Sequence, residues 1–287
     1  MATTTPRAAR TEAAPWRADF LEHLSKMKPP EFVLSTLHAA PKGSPTPYLP
    51  RARYCVFRGF WAELPENKHN EAPQNERVYE SDLPTFTTDV RMDKVSDLFG
   101  SSAGHGSPSQ SHGSGGGGPI EAVWWAKDDM TQWRVRGEAY VVGPDIEGSG
   151  EESSGVRTVK SIVGSRMRIV KEGETKTWSW TRELDAHFGN CSPGMRGSFK
   201  APPPGTPSSN PPPSKEMSLG QKLTNIDDPI ARENFRVVII KPSEVESLEI
   251  ADPSTARRRR WTFVGDTEDG TGKNGIHGGW TEEELWP

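Results

Sequence analysis

Two short basic segments of the sequence carry the residue types that bind phosphate. The first runs from Arg53 to Arg58 and reads Arg-Tyr-Cys-Val-Phe-Arg, and its alternation is typical of a β-strand with these two arginines on opposite faces. The second places the hydroxyl of Thr88 ahead of Arg91 and Lys94, in the pattern of a strand that runs into a helix. Helix N-termini attract anions through unpaired N–H groups and the helix dipole. Together the segments predict a barrel-like β protein that holds a phosphate group.

The alternative is that these cations are solvent-exposed surface charges, because scattered Arg and Lys side chains usually lie in solvent. A phosphate group carries nearly two negative charges, so a true site needs several cations and N–H groups that converge. The hydroxyl of Thr88 can serve either as a helix cap or as a phosphate ligand. The phosphate interpretation therefore depends on Arg53, Arg58, Thr88, Arg91 and Lys94 meeting at one place.

Two further side chains are candidates for the same ligand. Gln132 lies on the polar face of an alternating run, and its amide offers both a donor and an acceptor to a polar ring edge. An exposed strand position is the plainer interpretation of Gln132. Four successive arginines, 257–260, are typical of a localisation signal or a nucleic-acid patch. Because they run directly into Trp-Thr-Phe, alternate arginines face opposite sides of a strand, and we assign Arg260 to the ligand and the others to solvent.

Composition narrows the class of protein. The chain has 287 residues, only 32% of them hydrophobic, with 28 Gly and 26 Pro, so part of it builds no core, whereas ten Trp indicate a packed interior. The net charge of −4 gives no electrostatic case for nucleic acid. Two cysteines cannot form a disulfide framework, the seven histidines lack metal-ligand spacing, and no hydrolase or NTPase motif is present. We expect no metal, and no catalytic side chain stands out.

The sequence also favours a particular compartment. No apolar run reaches the length of a membrane span, and no signal-peptide core follows Met1. The Arg- and Thr-rich start resembles a weak organellar presequence, which stays an alternative. The expectation is a reduced, cytoplasmic protein without membrane contact, with a disordered N-terminus over residues 1–12.

Hydrophobic spacing predicts one antiparallel β domain, residues 13–287, with peripheral helices. Gly/Ser- or Pro-rich composition predicts flexible insertions at 100–118, 144–156 and 201–214. Helices are predicted near 16–27, after Thr88, at 179–188 and, by Asp capping, from Pro229. Strands are predicted at 51–61, 85–88, 120–126, 131–142, 235–240, 245–250 and 260–264, with 235–240 and 245–250 pairing side by side.

These segments together resemble the pyridoxamine 5′-phosphate oxidase-like split-barrel flavoproteins, in particular a branch with long loops found in fungi and other organisms. Four motifs carry the resemblance in the family's order, across residues 13–100 and 119–287. They are Arg53–Arg58, which is similar to Arg-x-Val-Leu-Leu-Lys; Phe86–Lys94, similar to the aromatic-x-Thr-Asn…Ser-Arg-Lys turn; Gln132–Gly137, similar to Arg-Gln-Val-x-Val-x-Gly; and Arg260-Trp261 with the ending Trp280–Pro287.

The resemblance implies a mainly β (α+β) fold, an antiparallel split β-barrel with peripheral helices, that binds FMN. It also implies a homodimer with two cofactors at the subunit interface and hydride transfer to FMN from a small-molecule substrate. The family's substrate-gripping Arg-x-His pair is replaced here by Ala256-Arg-Arg, Asp93 replaces one cation of the phosphate turn, and Glu-Leu-Trp precedes the last proline. The binding of FMN is therefore better supported than pyridoxamine phosphate as the substrate. A flavin-binding or sensing protein without turnover and, more remotely, a nucleic-acid adaptor built on arginines 257–260 are the alternatives.

Overall fold

The computed structural model describes residues 12–103, 112–171, 175–265 and 276–287. Its helices are α1 Arg17–Lys26, α2 Asp93–Gly100, α3 Ser154–Gly164, α4 Trp180–Gly189, α5 Pro193–Ser198 and α6 Pro229–Asn234. Its strands are β1 Glu31–Ala39, β2 Tyr48–Val56, β3 Tyr79–Ser81, β4 Thr85–Asp89, β5 Gly115–Ala126, β6 Thr131–Val142, β7 Met167–Ile169, β8 Phe235–Glu249, β9 Arg257–Phe263, β10 Ile276–His277 and β11 Trp280–Leu285.

Six of these strands close into a barrel. Antiparallel pairing links β2, β1, β5, β6 and β8 in that order, and β4 pairs with the first part of β8. The chain that follows β2 completes the ring, because the Arg58 N–H donates to the Thr85 carbonyl at 2.8 Å and the Thr85 N–H donates to the Gly59 carbonyl at 2.9 Å. The barrel thus ends beside the segment that carries the predicted phosphate residues.

Strand β8 is the element that splits the barrel. Its first part pairs with β4 and β6, and its last part pairs with β6 and β9, to which β11 and β10 add. The register shifts where Gly137 faces Pro242 and Arg136 faces Glu244, so Ser243 is an extra residue. A Cβ on Gly137 would lie 2.1 Å from the Lys241 carbonyl oxygen, which is why glycine stands at this bulge. The fold class is therefore confirmed as a mainly antiparallel α+β split barrel.

The bulge also overturns one prediction. The sequence was expected to form two neighbouring strands at 235–240 and 245–250, but β8 is a single bent strand through both. Pro242 interrupts the hydrophobic pattern without ending the pairing, because the bulge absorbs the extra residue.

Two hydrophobic clusters hold the molecule together. The first fills the barrel, where Trp16 and Phe20 bring α1 into contact with Trp124, Trp133 and Trp280. The second lies outside the barrel wall, where α3, α4 and α6 pack on β6 and β8. Its members include Trp61, Val142, Val159, Leu184, Phe188, Ala231, Val237 and Ile239.

Two of the insertions that composition predicts to be flexible contain regular secondary structure. Within 100–118, the part at 104–111 lies outside the described residues, but Gly115–Gly118 are buried and open strand β5 against α2. Within 144–156, two short 3-10 turns lead into helix α3, whose residues Val156, Val159 and Val163 are fully buried. Residues 201–214 form neither helix nor strand, and residues 1–11 lie outside the described part.

The predicted helices and the hairpin are otherwise found close to their expected bounds. Ser179 caps α4 by accepting from the Arg182 N–H, and Asp228 caps α6 by accepting from the N–H groups of Ile230 and Ala231. The hairpin of β5 and β6 turns at Lys127–Asp129. None of the described helices is long and apolar enough to cross a membrane.

Candidate functional site

The turn from β4 into α2 buries a lysine. Lys94, in the first turn of α2, is only 6% exposed. Its Nζ donates to Thr88 Oγ1 at 3.2 Å and lies 2.9 Å from the sulfur of Met92. No carboxylate of the described residues lies within ion-pair distance of this ammonium group. Burial accordingly lowers the pKa of Lys94 below its ordinary value of 10.5.

Arg53 brings a second cation to the same place. It lies on the barrel-facing side of β2 with Cys55, and both interact electrostatically with Lys94. Arg53 Nη1 donates to Thr36 Oγ1 at 2.6 Å, and Nη2 lies 3.3 Å from the Asp97 carboxylate. Burial raises the pKa of the Cys55 thiol to about 11, so the thiol stays neutral and supplies no counter-charge.

Asp97 is the acid that orients Arg53. Its carboxylate is 1% exposed and accepts from the Thr36 hydroxyl at 2.6 Å, and it lies 2.7 Å from His38 Nδ1. The Asp97 carboxylate balances the charge of Arg53. Asp97 forms no ion pair with Lys94, so the charge of the ammonium group is not balanced by it. We call Arg53, Thr88 and Lys94 the phosphate cluster.

The phosphate cluster fits the terminal phosphate of a flavin mononucleotide. A buried cation without a partner is costly, and an anion bound between Arg53 and Lys94 would remove that cost. The N-cap residue of α2, Met92, makes no side-chain cap hydrogen bond, so the N–H groups of the first turn add to the attraction for an anion.

Arg91 does not join this cluster. Its guanidinium forms a two-pronged ion pair with Asp89, Nε to Oδ1 at 2.9 Å and Nη2 to Oδ2 at 2.6 Å. Its remaining donors reach the carbonyl oxygens of Phe199 and Ala201. Arg91 therefore ties the turn before α2 to the end of α5.

Arg58 lies in a different environment from Arg53. It lies two residues beyond the end of β2, lines a cavity with His187 and Cys191, and its charge acts on both of those groups. Arg53 and Arg58 thus have different neighbours, Asp97 and Thr36 for Arg53 and the cavity with His187 and Cys191 for Arg58. The two arginines do not meet at one ligand within a single chain.

Gln132 and Arg260 lie on the outer face of the sheet. Cross-strand pairs connect Arg53 to Leu34, Ala122, Val135, Val245 and Trp261 in one row that faces the barrel. Gln132 precedes buried Trp133, and Arg260 precedes buried Trp261, so both point the other way. Arg260 donates to Glu246 through Nε at 2.7 Å.

The four successive arginines are paired with acids. Arg257 contacts Glu249, Arg258 and Arg260 share Glu246, and Arg259 contacts Glu249 and Asp19. A patch that is neutralised in this way offers little net positive potential to nucleic acid.

Sequence reasoning missed the residues that support the cluster. Thr36, His38 and Asp97 were not singled out, although Asp97 follows Lys94 by three positions on a helix and so lies on nearly the same face. Thr36 and His38 alternate along β1 and could have been paired with Arg53 only by knowing the register of β1 and β2. No group of three His, Cys, Asp or Glu side chains in the described residues is arranged to hold a metal ion.

Comparisons with known proteins find a family model that matches part of the chain. Residues 13–143 match the family model of the pyridoxamine 5′-phosphate oxidase FMN-binding domain. This segment contains all three residues of the phosphate cluster. It confirms the resemblance to the pyridoxamine 5′-phosphate oxidase-like family and identifies FMN as the cofactor of the domain.

The first of two similar solved structures supports the fold. A pyridoxamine 5′-phosphate oxidase-related FMN-binding protein from Nostoc punctiforme is 17% identical, with a TM-score of 0.53 over 96% of this chain and 100% of its own. PhzG from Burkholderia lata, solved with tetrahydrophenazine-1-carboxylic acid, is 12% identical, with a TM-score of 0.43 over 98% of this chain and 100% of its own. No curated protein matches the chain by sequence.

Proposed function

We propose that this chain, whose residues 13–143 belong to the pyridoxamine 5′-phosphate oxidase FMN-binding domain family, is an FMN-dependent oxidoreductase acting on a small-molecule substrate. The observation that carries the proposal is the buried ammonium of Lys94, which has no carboxylate partner in the described chain and lies beside Arg53. When bound, FMN would supply redox chemistry by hydride transfer, with dioxygen or another acceptor as the oxidant.

The side chains of this protein would hold the cofactor and tune its surroundings. Lys94 and Arg53 would bind the phosphate, and the Thr88 hydroxyl, which already accepts from Lys94, would hold the ammonium in place. Asp97 would orient Arg53 by its contact at 3.3 Å. Cys55, with a neutral thiol, would complete the wall without adding charge.

The face positions of Gln132 and Arg260 support the homodimer within this proposal. They lie on the outer face, away from the phosphate cluster of their own chain, so they can reach a flavin only if it belongs to a second copy. The same face exposes Tyr54 by 76% and Trp125 by 41%, an aromatic surface suited to subunit contact. We therefore assign Gln132 and Arg260 of one protomer to the flavin held by its partner.

We expect the purified protein to be yellow or to take up added FMN in preference to FAD. A terminal phosphate monoester matches a buried lysine and arginine better than a diphosphate that must continue into an adenosine. Visible absorbance and isothermal titration with both flavins measure this, and light scattering on the same sample gives the oligomeric state. A folded protein that binds neither flavin would contradict the cofactor assignment, and a flavin-loaded monomer would contradict only the dimer.

We also expect pyridoxamine 5′-phosphate to be a poor substrate, with a kcat/KM about tenfold or more below that of a true substrate. The family's gripping arginine is Ala256 here, and its neighbours Arg257 and Arg258 are paired with Glu249 and Glu246. Loss of one charged contact costs about 1.5–3 kcal/mol. Steady-state assays with pyridoxamine and pyridoxine phosphates test this. Efficient formation of pyridoxal phosphate would restore the vitamin B6 assignment.

A flavin-binding protein without turnover is the second candidate, favoured by the same ion pairs, in which Glu249 holds Arg257 and Glu246 holds Arg258. The two functions differ in one measurement. An oxidoreductase reduces its bound FMN when a true substrate is added without oxygen and reoxidises when air is admitted. A sensing or storage protein keeps its flavin oxidised with every candidate donor.

A further inference from the structure

The sulfur of Met92 lies against two members of the phosphate cluster. Met92 is the residue directly before helix α2, and its Sδ lies 2.9 Å from Lys94 Nζ and 3.6 Å from Thr88 Oγ1. Lys94 Nζ itself donates to Thr88 Oγ1 at 3.2 Å, so the three groups are all within contact of one another. The Met92 side chain is therefore a direct neighbour of the ammonium group that we assign to the FMN phosphate.

A thioether is a poor partner for an ammonium group. Thioether sulfur accepts hydrogen bonds only weakly, whereas the ammonium group of a lysine has three strong donors. Lys94 is 6% exposed, and the charges of Asp89 and Asp93 act on it without forming an ion pair. Since its close partners in the described chain are a hydroxyl and a sulfur, most of the charge of the ammonium group remains for a phosphate to balance.

Met92 is exposed enough to react with a small oxidant in solution. Its side chain is 37% exposed, and Met130, at 41%, is the one described methionine that is more exposed. Met130 lies in the turn between β5 and β6, outside the phosphate cluster. The chain thus offers two methionines of similar exposure, one beside the ammonium group of Lys94 and one away from it.

A peroxide converts the thioether of methionine into a sulfoxide. The sulfur takes one oxygen of hydrogen peroxide, the O–O bond breaks as the S–O bond forms, and the other oxygen leaves with both protons as water. The sulfur is oxidised by two electrons and the peroxide is reduced by two. The product carries a polar S–O group whose oxygen is a much stronger acceptor than the original sulfur. Because Sδ of Met92 already lies 2.9 Å from Lys94 Nζ, the new oxygen is within reach of the ammonium group.

We infer that Met92 is an oxidative modification site, at which a peroxide forms a sulfoxide that pairs with Lys94 and weakens the binding of FMN. The sulfoxide oxygen balances part of the charge that the phosphate would otherwise balance, so the phosphate gains less from binding, and it also places a partial negative charge beside the anion. The inference rests on the proposed assignment of Lys94 to the FMN phosphate and adds a means by which that site is regulated.

The experiment treats the full-length, flavin-free protein with hydrogen peroxide and then titrates it with FMN and with riboflavin. Mass spectrometry of its peptides gives the oxidised fraction of each methionine. We expect oxidation to lower the affinity for FMN by about tenfold and to change that for riboflavin little, because riboflavin has no phosphate. Treatment with a methionine sulfoxide reductase should restore the affinity for FMN.

Two variants assign the effect to one sulfur. Met92→Leu keeps an apolar side chain of similar size, so it should bind FMN before treatment and keep that affinity after peroxide. Met130→Leu is the matched control, since it removes a sulfur of similar exposure outside the cluster, and its affinity for FMN should still fall after peroxide.

The outcomes separate this inference from the proposed function. Unchanged affinity for FMN in a protein whose Met92 is oxidised would overturn the inference and leave the proposed function intact. The same would follow if Met92→Leu lost as much affinity for FMN after peroxide as the unaltered protein, if riboflavin weakened equally, or if Met130 were oxidised and Met92 were not. An untreated protein that does not bind FMN would contradict the proposed function, and the inference with it.

Discussion

Replacing Lys94 by methionine is expected to lower the affinity for FMN by about 10- to 100-fold, while the affinity for riboflavin changes little. The lost contact is a charge-assisted hydrogen bond to phosphate, worth about 1.5–3 kcal/mol, and riboflavin has no phosphate to lose it. Combining Lys94→Met with Arg53→Gln should lower FMN affinity by at least about 100-fold, because both cations are assigned to the same phosphate group. Titration of each variant with both flavins measures the effect.

The melting temperature of the flavin-free variant shows whether weaker FMN binding comes from the lost phosphate contact or from a destabilised fold. The Lys94 ammonium is buried without a carboxylate partner, so methionine of similar shape should leave the melting temperature of the flavin-free protein unchanged or raise it. Lys26→Met is the matched control, since Lys26 pairs with Asp129 at 2.6 Å on the surface of α1, and it should affect neither flavin. Equal weakening of FMN and riboflavin by Lys94→Met would remove Lys94 from the phosphate.

The phosphate cluster could be predicted from the sequence where its causes are local. Thr88 and Lys94 are only six residues apart, at the end of a strand and in the first turn of the next helix, and their contact at 3.2 Å follows from this local sequence. Arg91 lies apart from the phosphate cluster for a local reason. The carboxylate of Asp89, two positions earlier, pairs with Arg91 at 2.6 Å. A competing acid at that spacing was visible in the sequence.

The other candidates depend on the faces of strands. The resemblance gathers Arg53, Gln132 and Arg260 into one site. The register of β1, β5, β6, β8 and β9 places Arg53 on one side of the sheet and Gln132 and Arg260 on the other. Pairing between strands far apart in sequence is not encoded in local patterns, so the faces of these side chains could not be combined from the sequence alone.

The prediction of flexibility from composition was most clearly wrong at the four glycines 115–118. They were interpreted as part of a flexible insertion, whereas they open β5 as buried strand residues. Two of the glycines allow α2 to approach β5 closely, because a Cβ on Gly115 would lie 2.8 Å from Phe99 Cε1 and one on Gly118 would lie 2.7 Å from the Leu98 carbonyl oxygen. Helix α3 was not predicted, although the sequence contains its signals. Val156, Val159 and Val163 have helical spacing, and the Ser153 hydroxyl caps the helix by accepting from the Val156 N–H.

Gly118→Val is expected to destabilise the protein by roughly 3 kcal/mol or more, and Gly118→Ala by about 1–3 kcal/mol. A Cβ at this position would lie 2.4 Å from Ser101 Oγ, 2.7 Å from the Leu98 carbonyl oxygen and 2.9 Å from the Leu98 Cα. The Ser101 hydroxyl can rotate away, but the Leu98 backbone can move only with the whole of α2. Urea denaturation of the flavin-free variants measures the loss of unfolding free energy.

The same substitution should also reach the phosphate cluster, because α2 carries Lys94 and Asp97 as well as Leu98. A helix pushed away from β5 moves the ammonium relative to Arg53, so Gly118→Ala should weaken FMN more than riboflavin in addition to lowering stability. Gly164→Ala, at the end of α3, is the matched control, since nothing lies within 4 Å of its added Cβ. It should leave the protein as stable as before or slightly more so. A Gly118→Ala protein of unchanged stability would mean that α2 does not rest on β5 as closely as the structure places it, and that the glycines serve another purpose.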